Sequence, residues 1–267
     1  KQRCRMRSCM FKNDCIKNSV KPNFIIDFSG QGMVAESWIN PNLWFETNVI
    51  SKIKIYQSLI DKKWLKKIIK ISTPEVYGSN AGKIKEASSF NPSSPYAVSH
   101  ASIDLFLSIN QKFKNLPVIF TRFANFYGEG QQVFRIIPKV ILSIIFNKKF
   151  SLHGGGRSVR SFIHVSDVSK AIDCTIKKGK IGSTYHFSTE EQISILKLCK
   201  KIIKFQNKKF KDVCEITPVD RLGKDKKYDM SFSHTKKELN WKPEIDLNEG
   251  IERAYNWYNA HKKYYKN

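Results

Sequence analysis

Short apolar runs alternate with longer amphipathic stretches over the first 150 residues. Asn23-Phe24-Ile25-Ile26-Asp27-Phe28, after Pro22, reads as a buried strand, and Ser29-Gly30-Gln31-Gly32 as a turn where a ligand can come close to the backbone. Asn40-Pro41 predicts an N-cap and a first-turn proline, opening a helix to about Asp61. A strand follows at 67–73, then a loop rich in Ser, Asn, Gly and Pro at 79–95 and a helix at about 96–114. Pro117-Val118-Ile119-Phe120-Thr121-Arg122 is the next strand, leading to Asn125-Phe126-Tyr127-Gly128, and a helix spans about 134–147. Strand–helix alternation at this spacing predicts parallel βαβ units.

Beyond residue 150 the pattern loosens. His153-Gly154-Gly155-Gly156 is a turn, Arg160-Ser161-Phe162-Ile163-His164-Val165 is strand-like, and Ser166-Asp167-Val168 starts a helix. Short strands are expected near 184–187 and 213–216, with helices near 193–205 and 247–263. This predicts a smaller α/β lobe over 151–267, interleaved with a first domain over 1–150. There is no internal repeat and no low-complexity linker.

With 267 residues and 41% hydrophobic content, the chain can bury the core of one large domain or two unequal ones. The net charge of +24 comes from lysines spread over 62–70, 200–211, 224–227 and 236–237, as on solvated helix faces. It is compatible with a cleft that attracts an anionic phosphate ligand. No helix-turn-helix, zinc-finger or RNP pattern occurs, so a nucleic-acid partner is not expected. Cys4, Cys9, Cys15, Cys174, Cys199 and Cys214 form no C-x-x-C pair and the histidines show no ligand spacing, so no metal is expected. The basic opening Lys1-Gln2-Arg3-Cys4-Arg5-Met6-Arg7 is not a signal peptide, so reduced thiols and a cytoplasmic location are expected. The longest apolar run, Val140-Ile141-Leu142-Ser143-Ile144-Ile145-Phe146, is too short to span a bilayer.

The chemistry concentrates in two segments. Ile68-Ile69-Lys70-Ile71-Ser72-Thr73 runs into a turn, placing Thr73 and Glu75 at the carboxyl end of a strand, where open α/β sheets bind ligands. Tyr96 and His100 stand at i and i+4 and share a helix face. A phenol there can transfer a proton, and a basic neighbour can lower its pKa. A hydroxyl, a carboxylate and a phenol at one strand end point to acid–base chemistry on a polar substrate.

Taken in order, these motifs resemble one family: extended short-chain dehydrogenase/reductases of the NAD-dependent epimerase/dehydratase group. Within it they are most similar to nucleotide-sugar 4,6-dehydratases of the dTDP-glucose type. The likeness rests on Ser29-Gly30-Gln31 with Thr47-Asn48-Val49, on Thr73-x-Glu75-Val76-Tyr77-Gly78 and on Pro95-Tyr96-Ala97-Val98-Ser99. It continues through Asn125-x-Tyr127-Gly128, Arg135-Ile136-Ile137-Pro138 and Arg160-Ser161-Phe162-Ile163-His164-Val165-x-Asp167-Val168. Asp220-Arg221-Leu222-Gly223-Lys224-Asp225 through Tyr228 and Leu239-Asn240-Trp241-Lys242-Pro243 complete it.

The resemblance implies a Rossmann-like doubly wound parallel sheet, NAD as cofactor and a nucleotide-diphosphate sugar as substrate. It implies oxidation at the sugar C4, loss of water across C5–C6 and hydride return to C6. Tyr96 would take the C4 hydroxyl proton, Thr73 would bond that oxygen, and Glu75 would remove the C5 proton. Ser29, Gly30, Gln31, Asn48, Tyr96 and His100 would line the cofactor. Arg135, Arg160 and Arg221 would clamp the diphosphate, with Asn125 and Tyr228 as further substrate contacts. A homodimer is implied, through a helix bundle using about 41–61 and 96–114, with Ala101, Leu105 and Leu107 candidates for its apolar stripe.

Three departures matter. No G-x-x-G-x-x-G fingerprint is present, so the sheet is expected to lack its first βαβ portion, as in an N-terminally truncated fragment. The family's lysine after the tyrosine is His100, shorter and mostly neutral at pH 7. Pro74 stands where dehydratases often carry an acid for the departing hydroxyl. Alternatives are therefore an epimerase or UDP-glucuronate decarboxylase of the same superfamily, or a non-catalytic remnant.

Overall fold

The computed structural model describes residues 21–79, 82–219 and 227–266. Its centre is a four-stranded parallel sheet of β1 (Phe24–Asp27), β2 (Lys67–Ser72), β3 (Val118–Phe123) and β4 (Thr184–Phe187), in that spatial order. Register pairs Phe24 with Lys67, Ile68 with Val118, Ser72 with Arg122 and Phe120 with Thr184. β3 (Val-Ile-Phe-Thr-Arg-Phe) is buried at every position, as an inner strand covered on both faces must be.

β1 differs from the buried strand expected. Among the described residues it pairs only with β2; Ile25 packs inward while Phe24 and Ile26 are exposed. An edge strand with one covered face alternates in this way.

α1 (Val34–Ile39) precedes Pro41, and the helix expected from there to about Asp61 runs without interruption to Gln57, as α2 (Pro41–Phe45), a π-helical turn (Glu46–Ile50) and α3 (Ser51–Gln57). Asn40 breaks the chain between α1 and α2 through its backbone (φ −135°, ψ 65°), without the side-chain cap expected of it. The π turn carries the buried Asn48. α4 (Pro95–Lys114) starts as its sequence dictates: Ser94 Oγ accepts from Ala97 N at 3.2 Å and Pro95 takes the first position. α5 (Ile136–Ile145), α6 (Val165–Lys178), α7 (Ile195–Phe205), α8 (Ser233–Leu239) and α9 (Leu247–Ala260) follow. α8 and a strand at Phe150–His153, parallel to Cys214–Thr217, were not anticipated.

Helices cover both sheet faces. Tyr56, Ile103 and Leu107 from α3 and α4 pack with Ile68, Val118 and Phe120 on one. Val168, Ala171 and Trp241 pack with Ile69, Ile71, Ile119 and Tyr185 on the other. Along β2 the period of two therefore sends Ile69 and Ile71 one way and Ile68 and Lys70 the other. A second core, from Ile137, Val140, Ile141, Leu198, Ile202, Ile251 and Tyr258, holds α5, α7 and α9 together.

The outer face of α4 corrects the expected stripe. Ala101 and Leu107 are buried, whereas Val98, Leu105, Ile109 and Phe113 are exposed. The exposed set recurs on one helix face; Leu107 lies opposite it, against the sheet, while Ala101 packs sideways toward Val76, Tyr77 and Tyr228. Among the described residues no helix is long and apolar enough to cross a membrane.

Candidate active site

β2 ends at Ser72 and delivers Thr73 in extended conformation (φ −121°, ψ 145°), followed by the 3-10 turn Pro74–Tyr77. Thr73 Oγ1 caps that turn by accepting from Glu75 N at 3.3 Å. Gly78 closes it at φ 66°, where a Cβ would lie 2.2 Å from Asn91 O, so only glycine fits. Thr73 and Tyr77 are buried and Glu75 half-buried. Across the cleft, Tyr96 N donates to Ser37 Oγ at 3.2 Å, fixing the start of α4 against α1. This brings the Tyr96 phenol into a hydrogen bond with Thr73 and into the field of Glu75.

Burial raises the Tyr96 pKa well above its ordinary value, and the Glu75 carboxylate raises it further. The Thr73 bond and the Arg135 guanidinium oppose this without reversing it. The expected pKa depression by a basic partner at position 100 is therefore not found. His100 is itself buried, and desolvation, then Lys70 and Lys52, push its pKa well below the imidazole range. It is neutral at pH 7 and meets Tyr96 ring to ring (4.7 Å, 63°) without adding charge.

The facing wall is Ser29, Gly30 and Gln31, held by Asn48. Asn48 Oδ1 accepts from Gln31 N at 2.7 Å; its Nδ2 donates to Gln31 O at 3.1 Å and to Ser99 Oγ at 3.0 Å. The Asn48 amide is thus committed to shaping the loop. Its place in a π turn is the backbone distortion that brings it there. A Cβ on Gly30 would stand 3.4 Å from Asn48 Oδ1 and 3.7 Å from the His100 ring, so glycine keeps this wall open. The buried His100 Nδ1 has no hydrogen-bond partner. The His100 atoms nearest the Gly30 Cβ position are Cε1 and Nε2, at 3.7 and 3.8 Å. An open glycine wall facing the Nε2 edge of a neutral imidazole fits the hydroxylated nicotinamide-ribose end of NAD.

Below that wall lies a charged cluster that the sequence reading missed. Asp27 accepts from Lys52, Tyr56 and Ser29, with Lys70 alongside. Burial alone would raise its pKa, but the two ammoniums hold it well below the carboxylate range. The available signal was a lysine inside Ile-Ile-Lys-Ile-Ser and an aspartate ending Ile-Ile-Asp.

Behind the catalytic turn, Arg122 Nη2 bonds Asp104 at 2.8 Å, Ser72 Oγ donates to the same oxygen at 2.6 Å, and the guanidinium covers the Tyr77 ring at 5.0 Å. His186 Nδ1 lies 3.2 Å from Ser231 O, an acceptor only, so Nδ1 carries the proton. Its pKa, depressed by burial and by Arg122 to about 3, leaves Nε2 unprotonated to accept from Tyr77 OH at 2.9 Å.

On the substrate side, Tyr228 OH donates to Asn125 Oδ1, and the Arg160 guanidinium covers the Tyr228 ring at 4.4 Å. Arg135 is exposed and reaches toward Gly32, whose Cβ would lie 3.7 Å from Nη2. Arg221 lies outside the described residues. No cluster of metal-ligating side chains occurs among the described residues.

A parallel α/β sheet with a tyrosine-bearing helix crossing its carboxyl edge, opposite a threonine–glutamate turn, defines an extended short-chain dehydrogenase/reductase. The sequence model described as "GDP-mannose 4,6 dehydratase" matches residues 13–254, and the chain belongs to that family of nucleotide-sugar dehydratases. It is 31% identical to the Bos taurus dTDP-D-glucose 4,6-dehydratase over 92% of this chain and 70% of that one. Identity to the Dictyostelium discoideum dTDP-D-glucose 4,6-dehydratase is 29%, over 92% and 67%. The dTDP-glucose 4,6-dehydratase DesIV of Streptomyces venezuelae, crystallised with NAD, superposes with a TM-score of 0.86 at 26% identity, covering 91% of this chain and 75% of that one.

Proposed function

We propose that this chain carries the reacting centre of an NAD-dependent nucleotide-sugar 4,6-dehydratase acting on a dTDP-glucose-like substrate. The observation that carries the reading is the meeting of Tyr96, Thr73 and Glu75 at the carboxyl end of β2, in a chain whose relatives bear that name. When bound, NAD supplies the redox chemistry, accepting hydride from the sugar C4 and returning it at C6. Because its pKa is raised, Tyr96 first gives its own proton to solvent; as the phenolate it takes the C4 hydroxyl proton while Thr73 bonds the same oxygen. The resulting C4 ketone acidifies the C5 proton, and Glu75 is the carboxylate placed to remove it. Pro74 is buried and has no proton to give, so Glu75 passes the proton it has taken to the departing C6 hydroxyl, and water leaves.

Gly30, Ser29 and Gln31 line the cofactor, Asn48 holds their loop, and His100 offers Nε2 to a ribose hydroxyl. Arg135, Arg160 and Arg221 serve the diphosphate; Asn125 and Tyr228 serve the sugar or base. Residues up to about 150 supply most of the cofactor side and those beyond it most of the substrate side, consistent with a cytoplasmic enzyme of soluble nucleotide sugars. The exposed stripe Val98, Leu105, Ile109 and Phe113 fits the same face of a second copy, so the protein is a homodimer.

Pro74 also favours a second reading, a 4-epimerase, which needs no acid at that position. Incubation with dTDP-glucose and NAD decides between them. A product lighter by one water, with a C6 methyl signal and a C4 ketone, supports the dehydratase; an isomer of unchanged mass supports the epimerase. Recovery of unreacted substrate alone overturns both.

A further inference from the structure

Two lysines are buried between the sheet and the α3–α4 layer. Lys70 stands at a core position of β2, fully buried; its Nζ donates to Ile71 O at 2.8 Å and lies 3.9 Å from Asp27 Oδ2. Lys52 of α3 is 3% exposed, donates to both Asp27 oxygens, and bonds Ser29 Oγ at 2.6 Å. The neighbouring Arg122–Asp104 pair is neutral as a pair. Burial and Lys70 lower the Lys52 pKa to about 8, so at neutral pH two ammoniums still share one carboxylate, and one uncompensated positive charge is buried behind the cofactor wall. Selection for stability alone would remove it, because taking an unmatched charge out of water is costly.

We propose that Lys70 and Lys52 are positioning residues that supply, from beneath the wall, the positive field missing four residues after Tyr96, and so bias the site toward reduced nicotinamide. This rests on the NAD reading above. Oxidised nicotinamide carries a positive charge and the reduced ring carries none, so an ammonium nearby in a poorly screened interior disfavours only the first. His100 has a ring nitrogen to offer a ribose hydroxyl but, being neutral, contributes no charge. The groups that face His100 are Lys70, Lys52, Asp27, the Tyr96 ring and Arg122, the last paired with Asp104 one turn along α4, so the two lysines outnumber the one carboxylate left to them. The depressed basicity of His100 registers burial first and then the same two lysines, which places the imidazole, on the wall itself, within their field.

The test is Lys70→Met in the full chain, with Lys52→Met as a second variant that removes the other ammonium. Calorimetry gives the affinities for NAD+ and NADH, and NMR follows the His100 imidazole against pH. In each variant the preference for NADH over NAD+ is expected to fall about tenfold, equivalent to about 30 mV for a two-electron couple. His100 is expected to titrate at a higher pH, and His100→Lys added to Lys70→Met is expected to restore the preference. An unchanged preference in both folded variants overturns the proposal, whatever His100 does. If the unsubstituted chain binds neither cofactor, the NAD reading fails separately. The field is then judged on His100 alone: a raised titration supports it, and an unmoved one overturns it.

Discussion

The two walls of the cleft are built differently. The reacting wall is local: Thr73 caps its own turn through Glu75 N, Gly78 closes that turn, and Ser94 and Pro95 fix the helix start that carries Tyr96. The cofactor wall depends on long-range side-chain bonds, Asn48 reaching Gln31 and Ser99 while Lys52 reaches Asp27 and Ser29. Backbone-determined sites tolerate change around them but not at their own positions. Side-chain-determined walls can be retuned by substitutions elsewhere, and at this wall the chain departs from its family with His100.

The largest effect that would break the comparison is on catalysis. Tyr96→Phe removes the proton-transferring group and is expected to lower turnover about 10²–10⁴-fold, measured as product formation from dTDP-glucose with NAD. Phenylalanine keeps the ring in place, so circular dichroism is expected to stay near that of the parent chain, with about 1 kcal/mol of stability lost with the Thr73 bond. Turnover equal to the parent would remove Tyr96 from the mechanism.

A steep acid dependence should come next, through His186 behind the reacting wall. Its pKa is depressed by burial and Arg122 to about 3, against about 6.5 in an unfolded chain. Below pH 6.5 the unfolded state binds the extra proton first, so stability falls from about pH 6.5 down toward pH 3. His100 adds to the same slope, its folded pKa being lowered by burial and the lysines. Asp27 acts lower: its folded pKa lies below the unfolded value, so its contribution is present above about pH 4 and is lost beneath it. Denaturant melts of His186→Gln between pH 7 and pH 4 should show a shallower slope than the parent; an equal slope would exclude His186 as a source.

Two glycines sharpen the contrast. Gly78→Ala combines a left-handed backbone with a Cβ 2.2 Å from Asn91 O and should destabilise the fold by about 1–3 kcal/mol or more. Gly30→Ala meets only ordinary contacts, 3.4 Å to Asn48 Oδ1 and 3.7 Å to His100. Its denaturation midpoint should stay near the parent's while cofactor affinity falls. If both variants lost stability equally, the cofactor wall would be as backbone-determined as the reacting one.

The same difference explains what the sequence disclosed. Tyr96, Thr73 and Glu75 were legible because their placement follows from a strand end, a cap and a helix start, each encoded within a few residues. Lys70 and Asp27 were passed over because a charged residue in a short apolar run takes its meaning from partners far along the chain: Lys52 stands 25 residues from Asp27. The π turn inside the helix that starts at Pro41 was hidden for a related reason. Nothing local to Thr47-Asn48-Val49 encodes a π turn, which follows from Asn48 being bonded to Gln31 and Ser99. Of the stripe expected on α4, Leu105 is exposed and Leu107 is not: two leucines two residues apart look alike in sequence, and only the sheet decides which face is inner.

The smallest effect separates the walls by kind rather than size. Ser94→Ala removes the cap of α4, and Ser99→Ala removes the acceptor for Asn48 Nδ2, each expected to cost about 1 kcal/mol in denaturant unfolding. Ser94→Ala frays the helix start and should lower turnover through Tyr96 while leaving cofactor affinity unchanged. Ser99→Ala frees the Gln31 loop and should weaken cofactor binding first, with substrate KM little altered. Equal effects on both quantities from both variants would mean that the cleft responds as one body, and that the division into a local wall and a long-range wall does not describe how it works.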